Sequence, residues 1–510
     1  MRKYLFAAFI FGLLVLNAAL VLPRDNRDIT GNINKELNYT ITQGADYDSV
    51  VCYPADVGLH ITGEVDASFN CYGQFGTGFN YFPGNWPSFI SPSGSQSQYL
   101  FGGTVWIGGI IGSDTLVSVG ADGWQRNNEL FSTTYPEPSV TKRQAYLYIG
   151  YPPTDSISIL TYRAEYCDTF TSGVPNLTYD YMDGRNHLPL NVRVAMRSYS
   201  YAGGPTSKAV IYDMVITNIG GSAIQSGYLG FYFDADVMGV GASSGFLDDI
   251  TGSLPDDTIA YIIDDDGGLY SASEQDVERV FAFKFLRMSF TPAGINYNWW
   301  ISNASAELDF GPRQKEVPFR DFGTGGLGTP EGDRNKFYIM SHPEWDYDQI
   351  FTSSISAADP DWMYPNQTID QDVSNGFDAR FLMSIGPFNL ESDSSARVIF
   401  TTFTGEDVHV DPNNAENNLH NAYLPATYLS NLDFSDLTLV ANYAGDFMNN
   451  YILTPLTAQP QGLSAALVTY DSVKIQWDPW VFDDVTGYEI YLSEIPSDSI
   501  PHPGVVPPWL

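Results

Sequence analysis

The sequence predicts a mainly β protein, in which a large antiparallel β-sandwich-type domain is followed by a short helical segment. Aromatic residues make up 15% of the 510 residues, alongside 46 Gly and 31 Pro, and this composition favours strands and turns over helices. Segments such as AVIYDMVITNIG and SGYLGFYFDADV alternate with a period of two. Strand-like segments follow one another without helical patterns between them, which is typical of a sandwich.

The N-terminus has the pattern of a secretory signal peptide over residues 1–22. Arg2 and Lys3 precede a long apolar run, and polar residues follow it. An uncleaved anchor is the alternative, because the run is nearly long enough to span a bilayer. Residues 24–50 are polar and are predicted to be a leader segment. We therefore expect an extracellular or cell-surface protein with no membrane span beyond the signal segment.

Residues 51–410 are predicted to form the large β-rich domain. QYLFGGTVWIGGIIGSDTLVSVG contains two apolar runs separated by GSD, which is typical of a hairpin. VERVFAFKFLRMSF and ARVIFTTFTG alternate in the same way, and Gly, Asn, Asp and Pro lie between the runs. These segments predict a succession of antiparallel strands.

Helical spacing of apolar residues replaces alternation at residues 411–453. We expect two helices here, with Asp433 or Ser435 capping one that runs to about Asn450. Residues 454–460, TPLTAQP, are predicted to be a linker.

The charge of the chain limits its partners. Lys and Arg total 24 against 60 Asp and Glu, which gives a formal net charge of −36. Such a surface repels nucleic acid and anionic lipid, so both are excluded as main partners. It attracts cations, divalent metals above all. The alternative is that acidity only keeps an extracellular protein soluble.

Aspartates occur in short clusters between residues 230 and 268, and they form the candidate metal site. Asp234 and Asp236 are two apart at the end of a predicted strand, so both side chains point to the same side. Calcium takes about six to eight oxygen ligands on flexible loops, and Asp with Gly provides them. The predicted metal ligands are Asp234, Asp236, Asp248, Asp249, Asp264 and Asp266.

Calcium is therefore the candidate cofactor. The pattern is not an EF-hand, and magnesium fits less well because it prefers fewer protein ligands. A solvated acidic loop is the alternative interpretation of the same residues. A second, weaker metal candidate combines His342 with Glu344, Asp346 and Asp348, and a turn with paired surface charges is its alternative.

Carbohydrate chemistry provides the alternative function. A glycoside hydrolase needs two suitably spaced carboxylates beside aromatic sugar platforms. Trp86, Trp299 and Trp300 are candidate platforms, although core packing also explains Trp299 and Trp300. Among 60 acidic residues no catalytic pair can be singled out, so no catalytic or cofactor-binding residue is assigned. Ser243 in GASSG fits GxSxG by chance, because a loop precedes it and an acidic loop follows it.

The last segment, residues 461–510, contains SVKIQWDP and VTGYEIYLS. The opening Pro460, the step Trp477-Asp478-Pro479 and the strand start at Tyr488 resemble the first half of a fibronectin type III repeat. The resemblance implies a partial immunoglobulin-like β-sandwich and a spacer or adhesive role.

Upstream segments such as EWDYDQIF and FDARFLMSIGPFNLESDSSARVIFTTFTGEDVH resemble β-rich N-terminal regions of large secreted bacterial proteins that carry type III repeats. That resemblance implies no catalytic residue. We therefore expect a secreted or cell-surface, non-enzymatic binding or structural protein, stabilised by calcium, with an extracellular glycan or protein as partner. The alternative is a carbohydrate-binding module or a glycoside hydrolase acting on extracellular polysaccharide.

Overall fold

The computed structural model describes part of the chain: residues 57–79, 86–123, 127–149, 155–240, 242, 245–268, 277–301, 311–312, 328–358, 367–448, 461–469 and 472–478. The predicted signal peptide, leader and linker lie outside these residues, as does Ser243. The chain divides into two compact units, one comprising residues 47–143 and 160–444, the other including residues 144–159 and 445–510. The predicted domain boundaries stay predictions.

Strands dominate the described residues, and the mainly β prediction is confirmed. In chain order they are β1 (Val57–His60), β2 (Asp66–Asn70), β3 (Gln74–Gly76), β4 (Phe89–Ile90), β5 (Ser97–Gln98), β6 (Gly102–Ile111), β7 (Asp114–Val119), β8 (Phe131–Ser132), β9 (Val140–Ile149), β10 (Asp155–Cys167), β11 (Tyr179–Asp180), β12 (Arg185–Asn186), β13 (Val192–Tyr201), β14 (Ala209–Asn218), β15 (Ile224–Asp234), β16 (Met238–Gly239), β17 (Ile250–Leu254), β18 (Ile259–Ile263), β19 (Val280–Met288), β20 (Gly294–Ile301), β21 (Ala379–Leu390), β22 (Ser395–Phe403), β23 (Gln461–Thr469) and β24 (Ser472–Asp478).

In the described residues helices are fewer than strands, and they are short. They are α1 (Gly332–Ser341), α2 (Thr352–Ala358), α3 (Gln367–Asn375), α4 (Asn414–Asn418), α5 (Ala426–Leu429) and α6 (Ser435–Phe447). None of these helices combines the length and the apolar character needed to cross a membrane, a finding that covers the described residues alone.

Two large antiparallel sheets form a sandwich-like arrangement. In the described residues the first sheet has 11 strands, and its order is β16-β5-β4-β2-β3-β6-β15-β21-β20, with β1 beside β2 and β7 beside β6. The second has 9 strands, and its order is β17-β18-β19-β22-β14-β13-β10-β8, with β9 beside β10. Two small sheets pair β11 with β12 and β23 with β24.

The β6–β7 hairpin is where the sequence predicted one, since Ile111 of β6 pairs directly with Asp114 of β7. The first two predicted strands of the C-terminal segment also form, as the antiparallel pair β23–β24. The third predicted strand of that segment lies outside the described residues. The resemblance to a fibronectin type III repeat therefore stays a prediction.

Alternating side chains of β15 fill two cores. Phe231 and Phe233 face the second sheet, where the ring of Phe231 lies 4.2 Å from that of Phe400 and the ring of Phe233 lies 5.1 Å from that of Phe281, measured between centroids. Tyr232, between them, points to the opposite face and packs in a separate buried cluster. The period of two in the sequence thus corresponds to the two faces of the strand.

Helix α1 covers that opposite face. Met340 of α1 belongs to the same buried cluster as Trp106, Tyr232 and Trp300. Trp299, one residue earlier on β20, is buried on the inter-sheet side. Core packing is therefore the correct interpretation of both Trp299 and Trp300, and neither is an exposed sugar platform.

Helices α1, α2 and α3 lie within the region where the sequence predicted strands. The buried face of α1 carries Asp333 and Lys336, so the apolar stripe that signals an amphipathic helix is interrupted. In residues 411–448, the described part of the predicted helical segment, the structure has three helices, α4, α5 and α6, where the sequence predicted two. Asp433 accepts a hydrogen bond from the backbone N–H of Ser435 at 2.8 Å and caps the start of α6, which ends at Phe447.

Candidate metal centre

The acidic residues lie at the ends of four strands. Asp234 is the last residue of β15 and Asp378 directly precedes β21. These two strands are antiparallel neighbours, with Asp234 opposite Arg380, so Asp378 lies near the end of β15. Asp249 directly precedes β17 and Asp264 directly follows β18. Because β17 and β18 pair as a hairpin, these two carboxylates also start from one edge.

Backbone contacts hold the four segments together. The N–H of Phe377 donates to the carbonyl oxygen of Asp249 at 2.8 Å. The N–H of Val237 donates to Oδ2 of Asp249 at 3.1 Å. Gly376 has a φ of 117° and approaches the carbonyl of Asp248 so closely that a Cβ would lie 2.2 Å from that oxygen. Glycine is therefore required at this crossing of the two loops.

The first group of carboxylates consists of Asp234, Asp236 and Asp378. One oxygen from each residue lies within 4.8 Å of the others. Asp234 is only 2% exposed, and the other two are half-buried. The placement of Asp234 and Asp236 on one side follows from their spacing, whereas Asp378 comes from a distant strand.

The second group consists of Asp248, Asp264 and Asp265, again with one oxygen of each within 4.8 Å of the others. Asp264 is buried, and its Oδ2 accepts a hydrogen bond from the N–H of Val277 at 3.1 Å. Asp248 and Asp265 are half-buried. In the part of the chain that the structure describes, these are the two groups of three metal-ligating side chains.

The predicted single site is therefore two groups. Asp249 and Asp266, both predicted as ligands, belong to neither group. The carboxylate of Asp266 instead accepts a hydrogen bond from the backbone N–H of Ala415. Sequence reasoning missed Asp265 and Asp378. Both had a signal, since Asp265 stands inside DDDG and Asp378 repeats the Phe-Asp-Ala pattern that ends β15.

One buried base accompanies the first group. Nε of Arg380 lies 3.3 Å from Oδ2 of Asp234, and one of its terminal nitrogens lies 3.1 Å from Oδ2 of Asp378. A single guanidinium offsets one of the three negative charges. If all three carboxylates are ionised, a net negative charge remains in a site largely shielded from water.

The protein environment disfavours ionisation of these groups. Burial raises the pKa of Asp234 to about 7, although Arg380 acts in the opposite direction. Burial, together with Asp234 and Asp378, raises the pKa of Asp236 well above its usual range. Burial, then Asp264 and Asp236, raises the pKa of Asp249 well above its usual range. Asp249 feels both Asp264 and Asp236, so it lies between the two groups.

Oδ1 of Asp234 and Oδ1 of Asp249 are buried and lack hydrogen-bond partners among the described residues. Asp249 is 1% exposed. Buried polar atoms in proteins almost always have a partner, so an orphan oxygen needs an explanation. In a cluster of carboxylates, a cation and a proton are the two species that satisfy such an oxygen.

The weaker candidate around His342 resolves into separate contacts. Nε2 of His342 pairs with Glu344 at 3.3 Å. Asp346 accepts a hydrogen bond from the N–H of Trp299, and Asp348 accepts one from the N–H of Ser253. Among the described residues these side chains form no group of metal ligands, and the alternative of a turn with paired surface charges fits His342 and Glu344 but not Asp346, which is 2% exposed.

No protein-family profile matches the chain, and no curated protein is similar enough to it to count as a relative. A functional assignment therefore depends on the geometry of the two acidic groups.

Proposed function

We propose that this protein is a secreted or cell-surface, non-enzymatic structural or binding module whose sandwich is stabilised by calcium at the first acidic group. The observation that carries the proposal is the convergence of Asp234, Asp236 and Asp378, with one buried oxygen of Asp234 lacking a hydrogen-bond partner among the described residues. A cation in this position would satisfy that oxygen and offset the repulsion among the three carboxylates.

The donor set suits calcium. All three ligands are hard carboxylate oxygens, which exclude the softer metals that prefer thiolate or imidazole. The two half-buried members leave room for water to complete the shell, and calcium accepts such irregular geometry while magnesium demands a regular octahedron. Extracellular calcium modules bind at about 10⁻⁴–10⁻³ M, an affinity that a few carboxylates and a nearby arginine would give.

The position of the group supports a structural role. Asp234 ends β15, Asp378 leads into β21, and the loop after Asp236 is tied through Val237 to Asp249 before β17. A bound cation would hold the adjoining ends of two strands of the first sheet beside a loop that enters the second. The signal-peptide pattern and the partial type III repeat support the extracellular part of the proposal, with a glycan or a protein as the partner.

A thermal melt of the full chain tests the proposal, first in EDTA and then with calcium or magnesium added back. Saturation at about 100 times Kd stabilises by about 2.7 kcal/mol. For a domain of about 360 residues, whose entropy of unfolding is about 2.1 cal/mol/K per residue, that predicts a rise in Tm of roughly 3–4 °C with calcium and little with magnesium.

Two variants locate the effect. Asp236→Asn removes one ligand of the first group and is expected to abolish most of the calcium shift. The matched control is Asp256→Asn with Asp257→Asn, two acidic residues in the same region that join neither group, and it should keep the full shift. A calcium shift that persists in Asp236→Asn, or no shift in the wild type, rejects the proposal. In the second case a glycan-binding screen tests the carbohydrate alternative.

A further inference from the structure

Lys336 of α1 is a primary amine buried in contact with a carboxyl group. The residue is 2% exposed, and its Nζ lies 2.9 Å from Oδ1 of Asp122, which is 9% exposed. Both residues adjoin the buried apolar cluster on the outer face of the first sheet, since Ile339 of the same helix and Ala121 of the same loop belong to it. An amine and a carboxyl group in such a place are the two reactants of an amide bond.

The carboxyl group is held in position from both sides. The hydroxyl of Thr329, which is itself buried, donates to Oδ1 of Asp122 at 2.7 Å. The backbone N–H of Asp122 donates to the carbonyl oxygen of Asn127 at 2.6 Å. Reactants that are held together and oriented behave as if they were present at a very high local concentration. The fold therefore supplies the proximity that the two groups lack in the unfolded chain.

The two groups meet as an ion pair. Burial lowers the pKa of Lys336, but Asp122, and after it Glu129 and Asp333, outweigh burial and raise that pKa. The ammonium therefore faces a carboxylate. Because burial disfavours both charged forms, transfer of one proton from Nζ to Oδ1 costs less here than in water. That transfer produces a neutral amine beside a neutral acid, the pair from which an amide forms.

We propose that Lys336 and Asp122 condense to an isopeptide bond, which fastens α1 covalently to the loop that follows β7. Nζ attacks Cγ of Asp122, so that the Nζ–Cγ bond forms and the Cγ–Oδ1 bond breaks. Two protons of the ammonium pass to Oδ1, which departs as water, and the third stays on the amide nitrogen. The hydroxyl of Thr329, already bonded to Oδ1, assists that departure. The condensation oxidises nothing and needs no second substrate.

The bond goes beyond the proposed function, because it does not involve calcium. It would keep α1 on the face of the sheet that carries Trp106, Tyr232 and Trp300. A cross-link between residues so far apart in the sequence closes a long loop, and it stabilises a protein mainly by restricting the unfolded chain. Before the reaction the ion pair remains, so free energies of unfolding that concern this pair apply to the unreacted chain.

Mass spectrometry of the purified full chain, after prolonged incubation at neutral pH, tests the proposal. The reacted chain should lack the mass of one water molecule, about 18 Da. A tryptic digest should contain a branched peptide that joins the segment around Asp122 to the segment around Lys336, and cleavage after Lys336 should be lost. A wild-type chain that yields no branched peptide overturns the proposal.

A second source of water loss lies at the same residue. Asp122 precedes Gly123, and an Asp-Gly step can lose water alone by closing to a succinimide. Lys336→Arg distinguishes the two reactions, because arginine keeps a positive charge beside Asp122 but offers no primary amine. We expect this variant to retain its full mass. Water loss without a branched peptide in the wild type, and equal water loss in Lys336→Arg, would assign the loss to the succinimide and reject the bond. If the variant does not fold, the branched peptide of the wild type still decides.

Lys208 provides a control within the same chain. It is also buried, and its Nζ lies 2.6 Å from Oε1 of Glu406, but the side chain of Glu406 is 36% exposed. Water reaches that carboxylate and favours its ionised form, so no branched peptide is expected at Lys208. A branched peptide at Lys208 with none at Lys336 would overturn the proposal. The bond should form equally in EDTA, so its failure and the failure of the calcium site are separate results.

Discussion

Two buried regions of this protein hold several charges, and they differ in how many bases accompany the acids. Beside α1, three bases each lie against a carboxylate. Nζ of Lys336 lies 2.9 Å from Asp122, Arg185 lies 2.8 Å from Asp333, and His187 pairs with Glu129 at 3.1 Å. At the adjoining ends of β15 and β21, three carboxylates crowd together around the single guanidinium of Arg380.

The difference separates a structural network from a candidate binding site. A buried charge is tolerated when a partner of opposite sign compensates for the loss of water. The region beside α1 supplies three bases, one of which, Arg185, is shared among Asp180, Asp183 and Asp333. In the first acidic group one base faces three acids, so the charges balance only when protons or a cation enter. Buried carboxylates with raised pKa values in such a cluster are candidates for a functional site.

The largest expected effect is in the paired region. Lys336 is 2% exposed, and Lys336→Met would leave Asp122 buried without its cation. Breaking a buried pair in this way costs about 3–5 kcal/mol, so the free energy of unfolding in urea should fall by that amount. Asp122→Asn with Lys336→Met removes both charges and should cost less. A double variant as unstable as the single one would show that the pairing is not what matters.

In the same region beside α1, a smaller change in the free energy of unfolding is expected when the pH is raised, because His187 titrates. Burial lowers the pKa of His187, but Glu129 and Asp168 outweigh it and raise that pKa to about 9. Nε2–H of His187 donates to the carbonyl of Asp168, so a neutral ring would point a lone pair at Glu129. The imidazolium is therefore the native form.

A group with a raised folded-state pKa contributes stability that is complete below its unfolded pKa of about 6.5 and is lost as the pH rises towards 9, here roughly 3 kcal/mol at most. Urea unfolding between pH 6 and pH 10 should show this loss in the wild type. His187→Gln removes the titrating group, so the difference in unfolding free energy between wild type and variant should shrink across this window. A constant difference would contradict the assignment.

The smallest expected effect is a gain in the free energy of unfolding rather than a loss, and it concerns the first acidic group. Asp236 is a carboxylate disfavoured by burial and by Asp234 and Asp378, which together raise its pKa. In EDTA at pH 8, Asp236→Asn should therefore raise the free energy of unfolding, because the amide removes the cost of holding a carboxylate in this position. A loss of stability in EDTA would show that the carboxylate has a compensating partner within the protein.

The fold was largely predictable because its signals are local. Alternation in GFYFD marks β15, and the short connection after Ile111 marks the hairpin to β7. The spacing of Asp234 and Asp236 placed them on one side of the chain, and both join the first group. Helix α1 was not predictable, because the ionic network buries polar residues on the face where apolar ones would signal a helix.

The composition of the candidate site was only partly predictable. Asp249 and Asp264 are the same residue type, and each stands in a short acidic cluster of the sequence. Asp264 nevertheless joins a group of three, whereas Asp249 lies between the two groups and accepts a hydrogen bond from the N–H of Val237. Asp266 lies next to Asp265 in the sequence. The carboxylate of Asp265 nevertheless joins the second group, whereas that of Asp266 accepts a hydrogen bond from the N–H of Ala415. No local pattern distinguishes these neighbours, because their roles depend on the residues that lie opposite them.

The sequence by itself determined the alternating strands, the aromatic core material and the acidic excess of the chain. Each of these follows from residue type and spacing along the chain. Tertiary structure alone decided which carboxylates meet, since Asp378 reaches Asp234 only through the pairing of β15 with β21. It also decided which charges are balanced, because burial and the distance to a base are properties of the folded chain.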